Sequence, residues 1–441
     1  MSFVPSRRRL ARVTCVLLVG AAGAMPATGQ LLEDPQTVVI PPEPPLTTAR
    51  SIFTRDRQNP VAERMLPAFS AQGVSVGDFD VFPGLSIGGL YTSNIFADNT
   101  RRRSDVAVVV RPELTVRTSA GPYQLAAYGR GDVRRYAGHG SENTEEALGG
   151  LQGSVAVGAL SSITAGASYG SLVEPRYAAD SPSNAAKPLE YTALDGFAAA
   201  TIEGAATRLI VRGDVSRLRF GDTPSLTGGD LFTRDRDRTR YQGLVRLERA
   251  LSPAVSIYGA ATANRIDYRI TDTRDSKGYG LYLGSNFEVT ALLRGDVRVG
   301  YIRQIFDLRG VRNISGLGAL GTLVFSPNRL WTFTAHGESS VQDSGVPGTN
   351  GLLHRGGSVR ADNELRRYLI VSLEGGYFED TYRGLPRRDK LPYADVSATY
   401  LSRNHWNARL GYRYLARSCT CTVGVTNFDD HRVSATLTFQ R

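Results

Sequence analysis

The sequence predicts an all-β fold: a transmembrane up-and-down antiparallel β-barrel of about 18 strands. Three observations lead there. Segments in which apolar and polar residues alternate recur almost without interruption from residue 81 to the end of the chain. Every second connection between them is tight, while most of the others are longer and polar. The composition, 41% apolar with 20 Tyr and 16 Phe, is too lean for a large dry core and too rich in rings for a solvated chain. Side chains on a strand alternate between its two faces, so each such segment carries one apolar and one charged face.

The chain has 441 residues and a formal charge of +10. Residues 1–24 read as a secretory signal peptide, with Arg7, Arg8, Arg9 and Arg12 at the charged start, an apolar run over 13–20, and Ala22-Gly23-Ala24 as a small-x-small cleavage site. Its removal takes four arginines and no acid, leaving +6. Cys15 is not placed for a lipid anchor and is lost with the signal. No later segment has 18 consecutive apolar residues, so no membrane-spanning helix is expected. Residues 25–72 contain Pro41-Pro42 and Pro44-Pro45 followed by a mixed-charge stretch, which suits an extended periplasmic lead-in. A short plug is the alternative, although 48 residues are little to fill a wide lumen.

The barrel itself is expected over 73–441. Strands are placed near 81–92, 104–117, 121–135, 144–158, 161–172, 189–204, 206–220, 236–250, 252–268, 276–288, 291–308, 309–325, 328–340, 355–366, 368–380, 391–402, 404–415 and 430–440. The tight connections are TSAGP, ALSS, EGAA, ALSP, EVTA, FSPN, ELRRY and SRNH, and the bulkiest of the others lie at 173–188, 221–237 and 341–357. Short turns on one rim, long loops on the other and segments of at least 9 to 11 residues between them are what crossing an outer membrane requires. Both barrel ends fall on the short-turn, periplasmic side. The weakest join is FDLRGVRN near 308–312, where merging or splitting would change the count; 16 strands is the alternative.

A faint repeat runs through this division. Arg130-Gly131-Asp132-Val133, Arg212-Gly213-Asp214-Val215 and Arg294-Gly295-Asp296-Val297 are each 82 residues apart, four strands by this count, with Arg and Asp on one face and Val on the other. Their mid-strand placement argues against an exposed adhesion motif.

The segments GVSVGDFDVFPGLSIGGLYTSNIFA at 73–97, SDVAVVVRPELTVRT at 104–118, YAGHGSENTEE at 136–146 and ADSPSNAAKPLEYTAL at 179–194 resemble the outer-membrane β-barrel porin family whose members are often encoded near exopolysaccharide synthesis and export genes. The resemblance is specific in the first third and mainly one of pattern thereafter. It implies a barrel in the outer-membrane lipid with a connection to polysaccharide export components for some members, and it supplies no catalytic residue. The end of the chain departs from the aromatic terminus that the β-barrel assembly machinery reads in many barrels, because Gln440 and Arg441 follow Phe439.

The candidate functional surface is the lumen-facing set Arg111, Glu113, Arg117, Arg130, Asp132, Arg134, Arg208, Arg212, Asp214, Arg240, Arg246, Glu248, Arg294, Asp296, Arg298, Arg409 and Arg413. Its 12 arginines against five acids would concentrate anions. The same residues would equally serve as ion-pair ladders bracing adjacent strands. Trp406, Tyr412, Tyr414, Tyr241 and Tyr301 are expected at the lipid interface, while Tyr128 and Tyr282 face inward.

Catalytic, cofactor and metal chemistry find no support. His336 shares a face with Thr334 and Glu338, which suits a hydrogen-bonded histidine better than a triad. His139, His354 and His431 are placed in or beside outer loops without metal spacing. Cys419 and Cys421 are one residue apart, which favours thiols over a strained bridge. No nucleotide or acyl-transfer motif is present, and basic residues that alternate along strands do not make a nucleic-acid surface. Two functions stay open: a passive or weakly anion-selective conduit linked to surface polysaccharide export, and a non-conducting barrel that organises surface polymer or an envelope partner.

Overall fold

The computed structural model describes residues 53, 60–61, 69–118, 123–290, 292–308, 311–346, 348–349, 351–403, 405–420 and 427–441. The expected signal peptide and nearly all of the lead-in lie outside them. Eighteen barrel strands follow in chain order. They are β1 (Phe79–Thr92), β2 (Asp105–Thr118), β3 (Tyr123–Tyr136), β4 (Thr144–Val157), β5 (Ser161–Glu174) and β6 (Leu189–Glu203). Then come β7 (Thr207–Phe220), β8 (Arg238–Ser252), β9 (Val255–Tyr268), β10 (Ser276–Thr290), β11 (Leu293–Phe306) and β12 (Ile314–Phe325). The wall ends with β13 (Trp331–Gln342), β14 (Gly351–Arg366), β15 (Leu369–Arg383), β16 (Arg388–Leu401), β17 (Trp406–Thr420) and β18 (Phe428–Gln440).

Each strand pairs antiparallel with its sequence neighbours, and β1 closes the ring on β18, with Gly84 opposite Gln440 and Thr92 opposite Arg432. The fold is the expected barrel of 18 strands. At the weakest join, β11 and β12 pair from Leu293 opposite Phe325 to Gln304 opposite Ile314, so the segment near 308–312 is a true connection and the 16-strand count does not apply. Val74–Val76 folds back on the start of β1. In the loop 221–237, Thr223–Pro224 and Asp230–Leu231 form a small hairpin.

The loops sort as expected with one difference. The long segment expected at 341–357 shrinks to 343–350, because β14 begins at Gly351. The glycines of GLLHRGG suggested a loop, yet Gly356 is a strand residue pressed against β15, where a Cβ would lie 2.2 Å from the Tyr377 carbonyl oxygen. In a strand, glycine marks close approach of another backbone rather than a turn.

The outward face carries exposed apolar side chains such as Val106, Val108, Leu281, Leu283 and Leu410. Near the short-turn rim the rings of Trp331 and Phe333 stack 5.6 Å apart, and Tyr400 meets Tyr368 and Trp406 at 5.6 and 5.5 Å. Tyr279 and Tyr301 pair at 6.5 Å toward the other rim. Rings with polar edges at both rims are the girdles of a lipid-facing wall. On the inner face, opposite these exposed residues, aromatic side chains lie directly across from glycines of the adjacent strand: Tyr128 faces Gly150, Phe197 faces Gly166, Tyr258 faces Gly284 and Tyr393 faces Gly376. The missing Cβ lets each ring lie flat against the wall.

A Cβ on Gly284 would come within 2.3 Å of the Tyr258 ring, whereas nothing lies within 4 Å of one on outward Gly243. Gly284→Ala is expected to cost about 1–3 kcal/mol, the usual penalty for overpacking, while Gly243→Ala is neutral or slightly stabilising because it restricts the unfolded chain. Urea unfolding of the barrel in lipid vesicles, followed by heat-modifiable gel mobility, reads both; equal stability of the two variants would refute the ring-on-glycine account.

Candidate functional site

Two residues apart on a strand means the same face, and an arginine side chain spans that step. This places the first charged cluster at β2 and β3, where Asp132 receives Arg111 Nε at 2.7 Å and Arg134 Nε at 2.9 Å. The second spans β7 to β11. Glu248 Oε2 accepts from Arg208 at 2.6 Å and from Arg246 at 3.1 Å, and Arg246 also reaches Asp296 at 3.0 Å. The Ser256 hydroxyl donates to Glu248, and the Tyr258 hydroxyl to Asp296 at 2.5 Å. Arg212 pairs with its own neighbour Asp214 at 2.5 Å, and Asp395 holds Arg413 at 3.1 Å and Arg409 at 3.9 Å.

The remaining expected residues have other surroundings. Arg117 lies over the Phe82 ring at 4.7 Å. Arg240 lines a small cleft with Asn264, Gln304 and Asp343. Arg294 stands across from Glu288. Arg130 stands across from Glu113 and lies over the Tyr128 ring at 5.2 Å; Arg298 lies over the Tyr282 ring at 4.9 Å. The two inward tyrosines are therefore covered by arginines. The 82-residue repeat does not repeat these environments: Arg130, Arg212 and Arg294 are the eighth, sixth and second residues of their strands, so their heights and partners differ.

Sequence reasoning missed a comparable set on β14 to β18. Arg360 pairs with Asp362 at 3.0 Å and approaches Glu374 at 3.7 Å. Arg387 chelates Asp389, and Arg432 pairs with Asp430 at 2.6 Å. The signal was available, because Arg360-x-Asp362 and Arg387-x-Asp389 have the spacing of the repeat without its glycine. These acids reduce the arginine excess of the expected set. His354, expected beside a loop, is a β14 residue held between Glu338 at 3.0 Å and Asp380 at 2.5 Å. His336 hydrogen-bonds Thr322 at 3.3 Å and lies 3.9 Å from Glu338. Among the described residues, no three His, Cys, Asp or Glu side chains form a group that could hold a metal. Cys419 is disulfide-bonded, its partner lying outside the described residues; strain sets the cost of such a bond, and an oxidising compartment can still make it.

The loop 175–188 crosses the outer mouth. Arg176 binds Glu142 at 2.6 Å, and the Ser183 carbonyl accepts from Arg101 at 2.6 Å. Carbonyls 177, 178 and 179 accept from Arg417 and Arg387 at 3.3 to 3.5 Å, and Arg432 stacks over Tyr177 at 4.7 Å. The Asp180 carboxylate accepts from Ser344 Oγ at 3.1 Å and from Gly345 N at 2.6 Å. Arg236, in the loop 221–237, binds Glu174 at 2.6 Å and lies over Phe220 at 4.3 Å. Burial alone would loosen its proton, but Glu174 and Asp180 outweigh that and raise its pKa. A loop that leaves β5 and meets loops and strands around the rim thus spans the opening. At the opposite end, the buried Phe53 ring lies 4.5 Å from Arg208, and Val61 N donates to Thr332 Oγ1 at 3.0 Å. These two residues of the lead-in are seated against β7 and β13.

Residues 66–441 match the family described as "Putative beta-barrel porin 2". The chain belongs to this family. Among solved structures, the barrel is similar to the outer membrane protein opdK from Pseudomonas aeruginosa, at 13% identity over 82% of this chain and 99% of that one with a TM-score of 0.43. It is also similar to a BenF-like porin from Pseudomonas fluorescens Pf-5, at 10% identity over 82% and 99% with a TM-score of 0.45, and to OccK2 (OpdF) from Pseudomonas aeruginosa, at 11% over 82% and 98% with 0.44. No curated protein matches the chain. This porin barrel sits in the outer-membrane lipid, with both ends of the barrel and the short turns periplasmic and the long loops outside.

The Glu248 side chain has no exposed surface and holds two arginines. Glu248→Gln is expected to destabilise the porin barrel by about 3–5 kcal/mol, as removing one partner of a buried pair does. Lys187→Gln, at the exposed pair with Glu190, leaves stability unchanged. Urea midpoints in vesicles test the contrast, and equal midpoints would show the Glu248 cluster to be solvated.

Proposed function

We propose that the porin barrel is a weakly anion-selective conduit for small solutes and that the charged inner face lines its lumen. The observation that carries this reading is the state of Arg130 and Arg298. Each lies over a tyrosine ring; Arg130 also faces Glu113 on the adjacent strand and is attracted by it, whereas among the described residues Arg298 makes no ion pair with a carboxylate, so its charge is left to the lumen. Most other inner arginines are matched by acids, which supports a weak preference rather than strong selection. A barrel of 16 to 18 strands is wide enough for an aqueous path.

The second reading is a non-conducting barrel that organises surface polymer or an envelope partner. It is favoured by the loop 175–188 across the mouth and by Phe53 and Val61 at the other end. A link to polysaccharide export belongs to either reading and rests on the sequence resemblance; loss of surface polymer on deletion of the gene tests it. Planar-bilayer recording separates the readings: a folded barrel with no conductance, even with the lead-in and the loop 175–188 removed, is the non-conducting case.

If the lumen conducts, Arg130→Gln with Arg298→Gln shifts the reversal potential toward cations, more at low salt because electrolyte screens the field. Heat-modifiable mobility checks folding, since Arg130→Gln takes away the cation facing Glu113 whereas Arg298→Gln leaves no bonded carboxylate behind. An unchanged reversal potential in a folded, conducting variant would remove these two arginines from the selectivity account.

A further inference from the structure

We propose that the outer mouth contains a carboxylate-binding site, filled in this structure by the chain's own Asp180. This rests on the conduit reading only for its role in transport; the site itself rests on its donors. Ser344 Oγ and Gly345 N each donate to a different oxygen of one carboxylate, at 3.1 and 2.6 Å. That two-donor fork matches a planar carboxylate. Ser344 is fully buried, and Arg236, which donates to the Asp180 backbone carbonyl at 3.4 Å, is 3% exposed, so the site is built from buried residues of the rim loops. Glu174 holds one edge of the Arg236 guanidinium at 2.6 Å, while its buried Nε makes no hydrogen bond. A Cβ on Gly345 would lie 2.5 Å from that Nε and 3.1 Å from the Asp180 carboxylate, so only glycine leaves the cradle open.

The rest of the loop meets the wall in the same chemistry. Carbonyls 177 to 179 face Arg417 and Arg387, and a buried NH1 of Arg387 makes no hydrogen bond. The segment 177–180 therefore presents a run of oxygen acceptors to a ring of donors, as a carboxylate-bearing solute would. Such a solute competes with Asp180 for Ser344 and Gly345, and its binding releases the loop from that side of the mouth.

The test uses the full chain in detergent, titrated with sodium succinate against sodium chloride at matched ionic strength. Asp180→Ala removes the internal competitor and keeps the donors. It is expected to bind succinate about tenfold or more tightly than the unaltered chain, because a carboxylate on a short tether competes at an effective concentration in the millimolar range. Asp180→Ala with Ser344→Ala loses the gain. Equal binding by the unaltered chain and Asp180→Ala overturns the site, as does a gain that survives Ser344→Ala. Heat-modifiable mobility verifies folding, and Asp180→Asn, which keeps the volume, replaces Asp180→Ala should the latter not fold. Bilayer recording is kept separate: the binding gain without conductance upholds the site and counts against the conduit, and conductance without the gain does the reverse.

Discussion

Closure of the sheet between β1 and β18 is the constraint on which the rest depends. In hydrocarbon an unpaired backbone N–H or C=O costs several kcal/mol, so an open edge cannot be tolerated. The pairing of Gly84–Thr92 with Gln440–Arg432 removes it. Once the ring is closed, each strand has a lipid side and an enclosed side, and the alternation of residues decides what each side holds. The exposed Leu281 and Leu283 and the enclosed Tyr282 are consecutive residues of β10 doing opposite jobs.

The enclosed face has its own constraint, because charge taken from water must find a partner. Two devices meet it. Arg and Asp two residues apart pair along one strand, as Arg212 with Asp214 and Arg360 with Asp362 do. Rings laid flat on glycines give other guanidiniums a polarisable surface, as Tyr258 does for Arg246 at 3.4 Å. The first balances charge within one strand, the second ties neighbouring strands together, and both reduce the field inside. Among the described residues, most inner arginines have an acid beside them, while Arg298 stacks on Tyr282 without a carboxylate in ion-pair range.

The two ends of the lumen are organised differently from its wall. At the outer end, the loop 175–188 is tied by a buried pair at Arg176 and Glu142 and by weaker carbonyl and carboxylate contacts on the far side. The Ala185 bridge to Ser225 and the Ala186 N to Pro224 O bond of 2.7 Å anchor it to the loop 221–237. Its near end is thereby held by backbone pairing, and its far end by acceptors that another anion could replace.

The sequence by itself determined the wall. Strand number, the sorting of turns and loops, the lipid-facing aromatics and the inward arginines all follow from a two-residue period, which is local and needs no knowledge of neighbours. It also carried the Arg360-x-Asp362 spacing that went unread. Other features depended on contacts that local pattern does not encode. The glycines of GLLHRGG looked like loop until β15 pressed on Gly356, and His354 looked peripheral until β13 and β15 brought Glu338 and Asp380 to it. Asp180 looked like one more polar loop residue, and only folding across the mouth brought it, over 164 residues of sequence, to Ser344. Period fixes which face a side chain takes; which partner it meets there is decided by strand register and by how loops fall across a closed ring.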